Sequence, residues 1–255
     1  MTGSARRRTG DSRYGERVPL VAAAVCPHPP LLVPEVAGSA APELDDLRAA
    51  CDTAVRRLLA ADPDVLLLLG TGPVTGPIRP PATGSLQPWG VDLDVPLVPG
   101  QPDRGAVLPL SLTIGAWLLT RHDTRPPVTA VQVAADAGPA ELAALAGEVD
   151  AAGDRVAALV LGDGSACRGE KAPGYDDARA LPYDQGVAAA LADADLDALL
   201  DLDPMVSTEL KAAGRAPWQV LAGAARAAGG GWRGELLHDS APYGVAYFVA
   251  SWERM

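Results

Sequence analysis

The sequence predicts an α/β protein with a mostly parallel central sheet flanked by helices and a carboxyl-terminal antiparallel hairpin. Three observations carry this. Short, continuous apolar runs alternate with segments of helical periodicity, as expected where parallel strands are buried on both faces. Two of these runs, Val65 to Leu69 and Val156 to Leu161, empty directly into glycine-rich turns. The last two apolar segments flank a tight turn, which suits a hairpin.

The elements follow in order. Val18 to Cys26 is an apolar run stopped by prolines and reads as a buried strand. The proline-rich stretch Pro27 to Ala41 reads as a loop. Leu44, Leu47, Cys51, Val55 and Leu58 recur at helical spacing, so residues 42–61 form an amphipathic helix that Asp62-Pro63-Asp64 ends. Val65 to Leu69 is the second strand. Residues 73–105 are rich in Pro and Gly without clear periodicity and read as a long loop. A helix over 107–119, a strand over 128–133, a helix over 139–152 and a strand over 156–161 continue the alternation. Helical segments follow at 183–194, 196–202, 204–213 and 217–228, and Gly229-Gly230-Gly231 ends them. Strands at 232–238 and 243–252 complete the hairpin. Residues 18–255 are expected to form a single domain behind a polar leader, residues 1–17, that reads as disordered.

Composition narrows the function. Lys+Arg 21 against Asp+Glu 32 gives a net charge of -11, which disfavours phosphate-backbone binding, so no nucleic-acid role is expected. Cys26, Cys51 and Cys167 are widely spaced, which argues against a disulfide framework and against a thiolate zinc site. Arg6-Arg7-Arg8 before the run at 18–26 resembles an export signal only superficially, because the run is short and Pro27-His28-Pro29-Pro30 stands where small residues should be cleaved. No apolar stretch approaches the roughly 20 residues of a membrane span. A cytoplasmic protein is expected, without membrane contact. Candidate partners are a small molecule and a second copy of the chain, the latter at the edge of the terminal hairpin.

In open α/β sheets ligands bind beyond the carboxyl ends of strands, and that rule nominates residues 27–35, 70–76, 162–168 and 238–240. His28 follows a strand between prolines that fix its loop, as a metal ligand or acid/base group would. Its structural alternative is a satisfied histidine. Asp163 and Ser165 stand in Gly162-Asp163-Gly164-Ser165, where glycines allow close ligand approach, and an ordinary turn explains the same residues. Both are candidate catalytic residues. His28, Glu35, Thr71, Asp163 and Ser165 form the candidate ligand pocket. A triad from Ser165, His238 and an aspartate is the weaker alternative, because no Gly-x-Ser-x-Gly elbow is present.

The segments Val25-Cys26-Pro27-His28-Pro29-Pro30-Leu31-Leu32-Val33-Pro34-Glu35, Leu161-Gly162-Asp163-Gly164-Ser165, Ala172-Pro173-Gly174-Tyr175-Asp176 and Ala213-Gly214-Arg215-Ala216-Pro217, in that order, resemble class III extradiol ring-cleavage dioxygenases of the LigB type and the related Memo-like proteins. The resemblance implies a non-haem Fe(II) held by two histidines and a carboxylate, with open positions for a catecholate and dioxygen. It assigns His28 as the first ligand. The second histidine is expected after the second strand, where this chain reads Gly70-Thr71-Gly72-Pro73, and the histidine expected after Ser165 is Ala166. The cysteine that Memo-like proteins place before Gly-Arg-x-Pro is Ala213. One histidine cannot hold Fe(II) against water, since affinity comes from several preplaced ligands. The first reading is therefore a LigB-like protein with a degenerate metal site, without a cofactor, that is non-catalytic or rebuilt for binding. The alternative is an active metal-dependent oxidoreductase, an extradiol dioxygenase of catecholic aromatics, that holds Fe(II) through a non-standard set drawn from His28, Asp163, Glu35 and His238.

Overall fold

The computed structural model describes residues 20–100 and 105–255. The leader at 1–17 lies outside the described residues. The chain forms β1 (Leu20–Cys26), the short α1 (Pro34–Ala37), α2 (Asp45–Ala60), β2 (Val65–Gly72), β3 (Gly76–Ile78), β4 (Ala82–Ser85), β5 (Asp94–Pro96) and β6 (Ala106–Val107). Then come α3 (Leu110–Thr120), β7 (Val128–Ala134), α4 (Pro139–Ala151) and β8 (Val156–Leu161). The last part is α5 (Ala180–Asp193), α6 (Leu196–Leu200), α7 (Pro204–Glu209), α8 (Arg215–Ala228), β9 (Trp232–Ser240) and β10 (Tyr247–Arg254).

The α/β architecture is as the sequence predicts. A seven-stranded sheet has the order β3-β7-β2-β8-β1-β10-β9. Its centre, β7-β2-β8-β1, is parallel, while β3 and the β9-β10 hairpin run antiparallel to their neighbours. Every residue of β8 is buried, which explains why its sequence is continuously apolar rather than alternating. Along β1 the side chains alternate between two cores. Ala23 and Val25 join Leu67, Leu69, Val160 and Trp218 under α4, α5 and α8. Ala22, Ala24 and Cys26 join Leu66, Leu68, Leu159 and Leu161 under α2 and α3. Asp45 and Asp46 in the first turn of α2 and Arg57 in its last complement the helix dipole. Among the described residues, no helix is long and apolar enough to cross a membrane.

Two expectations are corrected. The loop expected at 27–41 contains a 3-10 turn at Pro30–Leu32 and α1, followed by a second 3-10 segment, Gly38–Leu44. Prolines at the first positions of a helical turn are tolerated, because that N–H has no helical partner to lose. The loop expected at 73–105 contains β3 and most of a three-stranded sheet of order β5-β4-β6. Its strands span two to four residues and include Pro96, too short for a period of two to register.

Between β1 and β2 in the sheet lies β8, a strand that comes much later in the chain. This insertion brings the exits of β1, β8 and β2 side by side, the crevice where α/β sheets place their sites.

Candidate functional site

Three loops meet at these exits. The backbone N–H of His28 donates to Asp163 Oδ1 at 2.8 Å, and His28 Nδ1 lies 3.6 Å from the same oxygen. His28 is 8% exposed, and its Nδ1 has no hydrogen-bond partner. The Gly214 N–H donates to the Asp163 carbonyl at 2.8 Å. Thr71 Oγ1 donates to the Ala213 carbonyl at 2.6 Å, while the Thr71 carbonyl accepts from Ser111 Oγ at 2.6 Å. The β1, β8 and β2 exits are thus tied to one another and to the amino terminus of α8.

The approach of α8 depends on glycine at two facing positions. A Cβ on Gly162 would stand 2.5 Å from the Gly214 Cα and 3.0 Å from Trp218 Nε1. Trp218 is fully buried and meets Phe248 edge-on at 6.1 Å between centroids. The same helix end is pinned by Arg215, whose buried guanidinium donates to the Ala135 and Ala137 carbonyls beyond β7 and to Gln219 Oε1.

Burial pushes the Asp163 carboxyl above its ordinary range, with His28 drawing it partly back. Burial, supplemented by the Asp163 charge, likewise raises the Tyr247 phenol. The sign follows from proton linkage. Folded protein holds the Asp163 proton above the unfolded value of about 3.9, so stability falls as pH rises through the interval between the unfolded and folded pKa values. Asp163→Asn keeps an acceptor for the His28 N–H and carries no charge. The variant is expected to gain stability relative to the parent as pH rises from 4 to 7, measured by urea unfolding across a pH series, with no gain counting against the assignment.

The other candidate residues stand elsewhere or are already engaged. Ser165 is fully buried, and both its N–H (2.8 Å) and its hydroxyl (2.6 Å) are donated to the Asp184 carboxylate. The partner of that hydroxyl is a carboxylate that also holds the Ser165 N–H and lies 3.5 Å from Arg168 Nη1, so the bonds fix the turn to α5. Glu35 is exposed on α1 and forms no hydrogen bond or ion pair to His28 or Asp163 among the described residues. His238 lies on β9, two strand positions from β1, which puts the two backbones about 10 Å apart. Its Nε2 shares a hydrogen bond with Ser240 Oγ at 2.7 Å. The triad of Ser165, His238 and an aspartate is therefore not assembled.

A facial Fe(II) site requires three protein donors. His28 and Asp163 supply two, and one Asp163 oxygen already accepts the His28 N–H. Among the described residues no group of three or more His, Cys, Asp or Glu is placed to hold a metal ion, so the residues present do not fit this group. Five surface cavities of about 310 to 780 Å³ are lined by residues other than His28, Thr71 and Asp163.

Sequence reasoning missed Tyr247, Ser111, Asp184 and Trp218. Their roles come from partners far along the chain, and only the continuous, mostly apolar run of β10, buried from Tyr247 to Trp252, hinted that Tyr247 lies inside.

No family model matches the chain, and no curated protein matches it. Among solved structures, the crystal structure of the uncharacterized protein JW3007 from Escherichia coli K12 is similar, with a TM-score of 0.51 and 12% identity over 91% of this chain and 99% of that chain. That similarity concerns the fold alone.

Proposed function

We propose that this chain is a LigB-like cytoplasmic protein in which polar contacts have replaced the iron site, so that it acts by binding and does not cleave catechols. The observation that carries this reading is the 2.6 Å hydrogen bond from Thr71 Oγ1 to the Ala213 carbonyl. Thr71 belongs to the loop where the resemblance expects the second histidine, and Ala213 occupies the place of the Memo-like cysteine. A direct bond between these loops occupies space that donors and a cation would otherwise need. The hydrogen bond from the His28 N–H to Asp163 supports the same reading, because it joins two strand exits without an ion.

The test is anaerobic loading with Fe(II), followed by metal analysis and a catechol ring-cleavage assay. The expected result is folded protein that retains only trace iron and forms no yellow product. Stoichiometric iron with catechol-dependent yellow product would overturn the reading. His28→Ala is expected to cost about 1–2 kcal/mol of stability, since a mostly buried ring is lost without a strong side-chain hydrogen bond. Thermal unfolding would report that cost, and a loss above about 4 kcal/mol would mark His28 as the keystone of the three-loop junction.

A further inference from the structure

The largest of the five cavities, about 780 Å³, lies at the opposite end of the sheet from His28. Pro126, Pro127 and Val128 at the start of β7 form one wall, and Leu119 at the end of α3 forms another. His28 and Asp163 follow the carboxyl ends of strands parallel to β7, so the length of the sheet, about 20 Å, separates the two places. We propose that this groove is a binding site for an uncharged, largely apolar small molecule.

Shape is the first argument. The volume falls within the roughly 300–1,000 Å³ of small-molecule sites. Pro80, Pro96, Pro99, Pro126 and Pro127 all line it. Proline fixes its own φ and has little side-chain freedom to lose, so these walls are preformed and binding orders few groups.

Charge is the second, independent argument. Most of the polar groups at the groove are engaged with protein partners, while the buried Nε2 of His122 has no hydrogen-bond partner among the described residues. Arg125 pairs with Asp123 at 2.9 Å. His122 Nε2 lies 3.3 Å from Asp52, whose carboxylate also takes both arms of Arg121 at 2.8 and 2.9 Å. The hydroxyls of Thr120 and Thr124 donate to the carbonyls of Trp117 and Leu119. Burial also holds the His122 imidazole below its ordinary range, with Asp52 drawing it partly back. A charged ligand would have to compete with these pairings for its counter-charge. An apolar one gains by displacing water from Leu97, Val98, Ala116 and Leu119.

The proposal rests on the groove's own lining, not on the reading of the strand exits, and the two fail separately. Iron retention would overturn the metal reading and leave this groove untouched. The probe is 1-aminoanthracene, uncharged at neutral pH, titrated into the full chain by fluorescence, with the anionic 1-anilinonaphthalene-8-sulfonate as the comparison. Saturable one-to-one binding of the neutral dye is expected, with the anionic dye weaker. Val98→Trp and Thr120→Trp, which fill the groove from two walls, should each weaken the neutral dye about tenfold or more, with circular dichroism unchanged. If one filled variant fails to fold, the other decides. His28→Ala should bind the dye as the parent does. Failure of the neutral dye to saturate, equal binding by folded filled variants, or preference for the anionic dye would overturn the proposal. So would loss of dye binding on parent self-association, seen by light scattering, because the groove would then be an interface between copies.

Discussion

Asp184→Ala is expected to be the most damaging single polar substitution, lowering stability by about 3–5 kcal/mol. Asp184 is 1% exposed and its carboxylate accepts both the N–H and the hydroxyl of Ser165, with Arg168 Nη1 3.5 Å away. Removing it strands two buried donors and leaves the guanidinium without its partner, and a buried unpaired group costs far more than the net worth of the bond it made. For a chain of this size each kcal/mol moves the melting temperature by roughly 2–4 °C, so calorimetry should show a fall of about 10 °C. Ser165→Ala removes the hydroxyl but spares the backbone bond and should cost less, about 1–3 kcal/mol. This series separates a structural serine from a nucleophile. A fluorophosphonate is expected to leave Ser165 unlabelled in the parent, and an adduct there, or a cost below about 1 kcal/mol for Asp184→Ala, would defeat the structural assignment.

Gly162→Ala should also be harmful, although it adds one methyl. That methyl would sit 2.5 Å from the Gly214 Cα, a backbone atom that cannot rotate away, and 3.0 Å from the buried Trp218 indole. Relief requires the amino terminus of α8 to withdraw, which strains the Gly214 to Asp163 and Thr71 to Ala213 hydrogen bonds together. Overpacking of this kind costs about 1–3 kcal/mol. Its diagnostic sign is local: hydrogen exchange at the Gly214 amide should accelerate more than exchange within β8. Gly147→Ala, in α4 with nothing within 4 Å of the added Cβ, is the control and should instead stabilise by about 0.5–1 kcal/mol. Equal effects at the two glycines would refute the close approach of α8.

Much of the fold was legible because its strongest signals are local. The buried strands announce themselves by continuous apolar runs, and α2 by its period. The small β5-β4-β6 sheet was not legible, since its strands span only two to four residues, too few for a repeated alternation. For the site, the strand-exit rule nominated the loops bearing His28, Thr71, Asp163 and Ser165, and the structure bonds His28 to Asp163 directly and ties Thr71 to Asp163 through Ala213 and Gly214. The engagement of Ser165 by Asp184 depends on a helix that begins 15 residues later, with nothing in the Gly162-Asp163-Gly164-Ser165 turn to announce it.

By itself the sequence determined the α/β class, the buried strands and which loops would gather at one end of the sheet, because burial and periodicity are written in neighbouring residues. Only the tertiary structure decided what those loops do to one another. The bonds from His28 to Asp163 and from Thr71 to Ala213 span separations of 135 and 142 residues. Whether a loop offers a free donor or consumes it depends on such distant partners, and these exist only once β8 has inserted between β1 and β2.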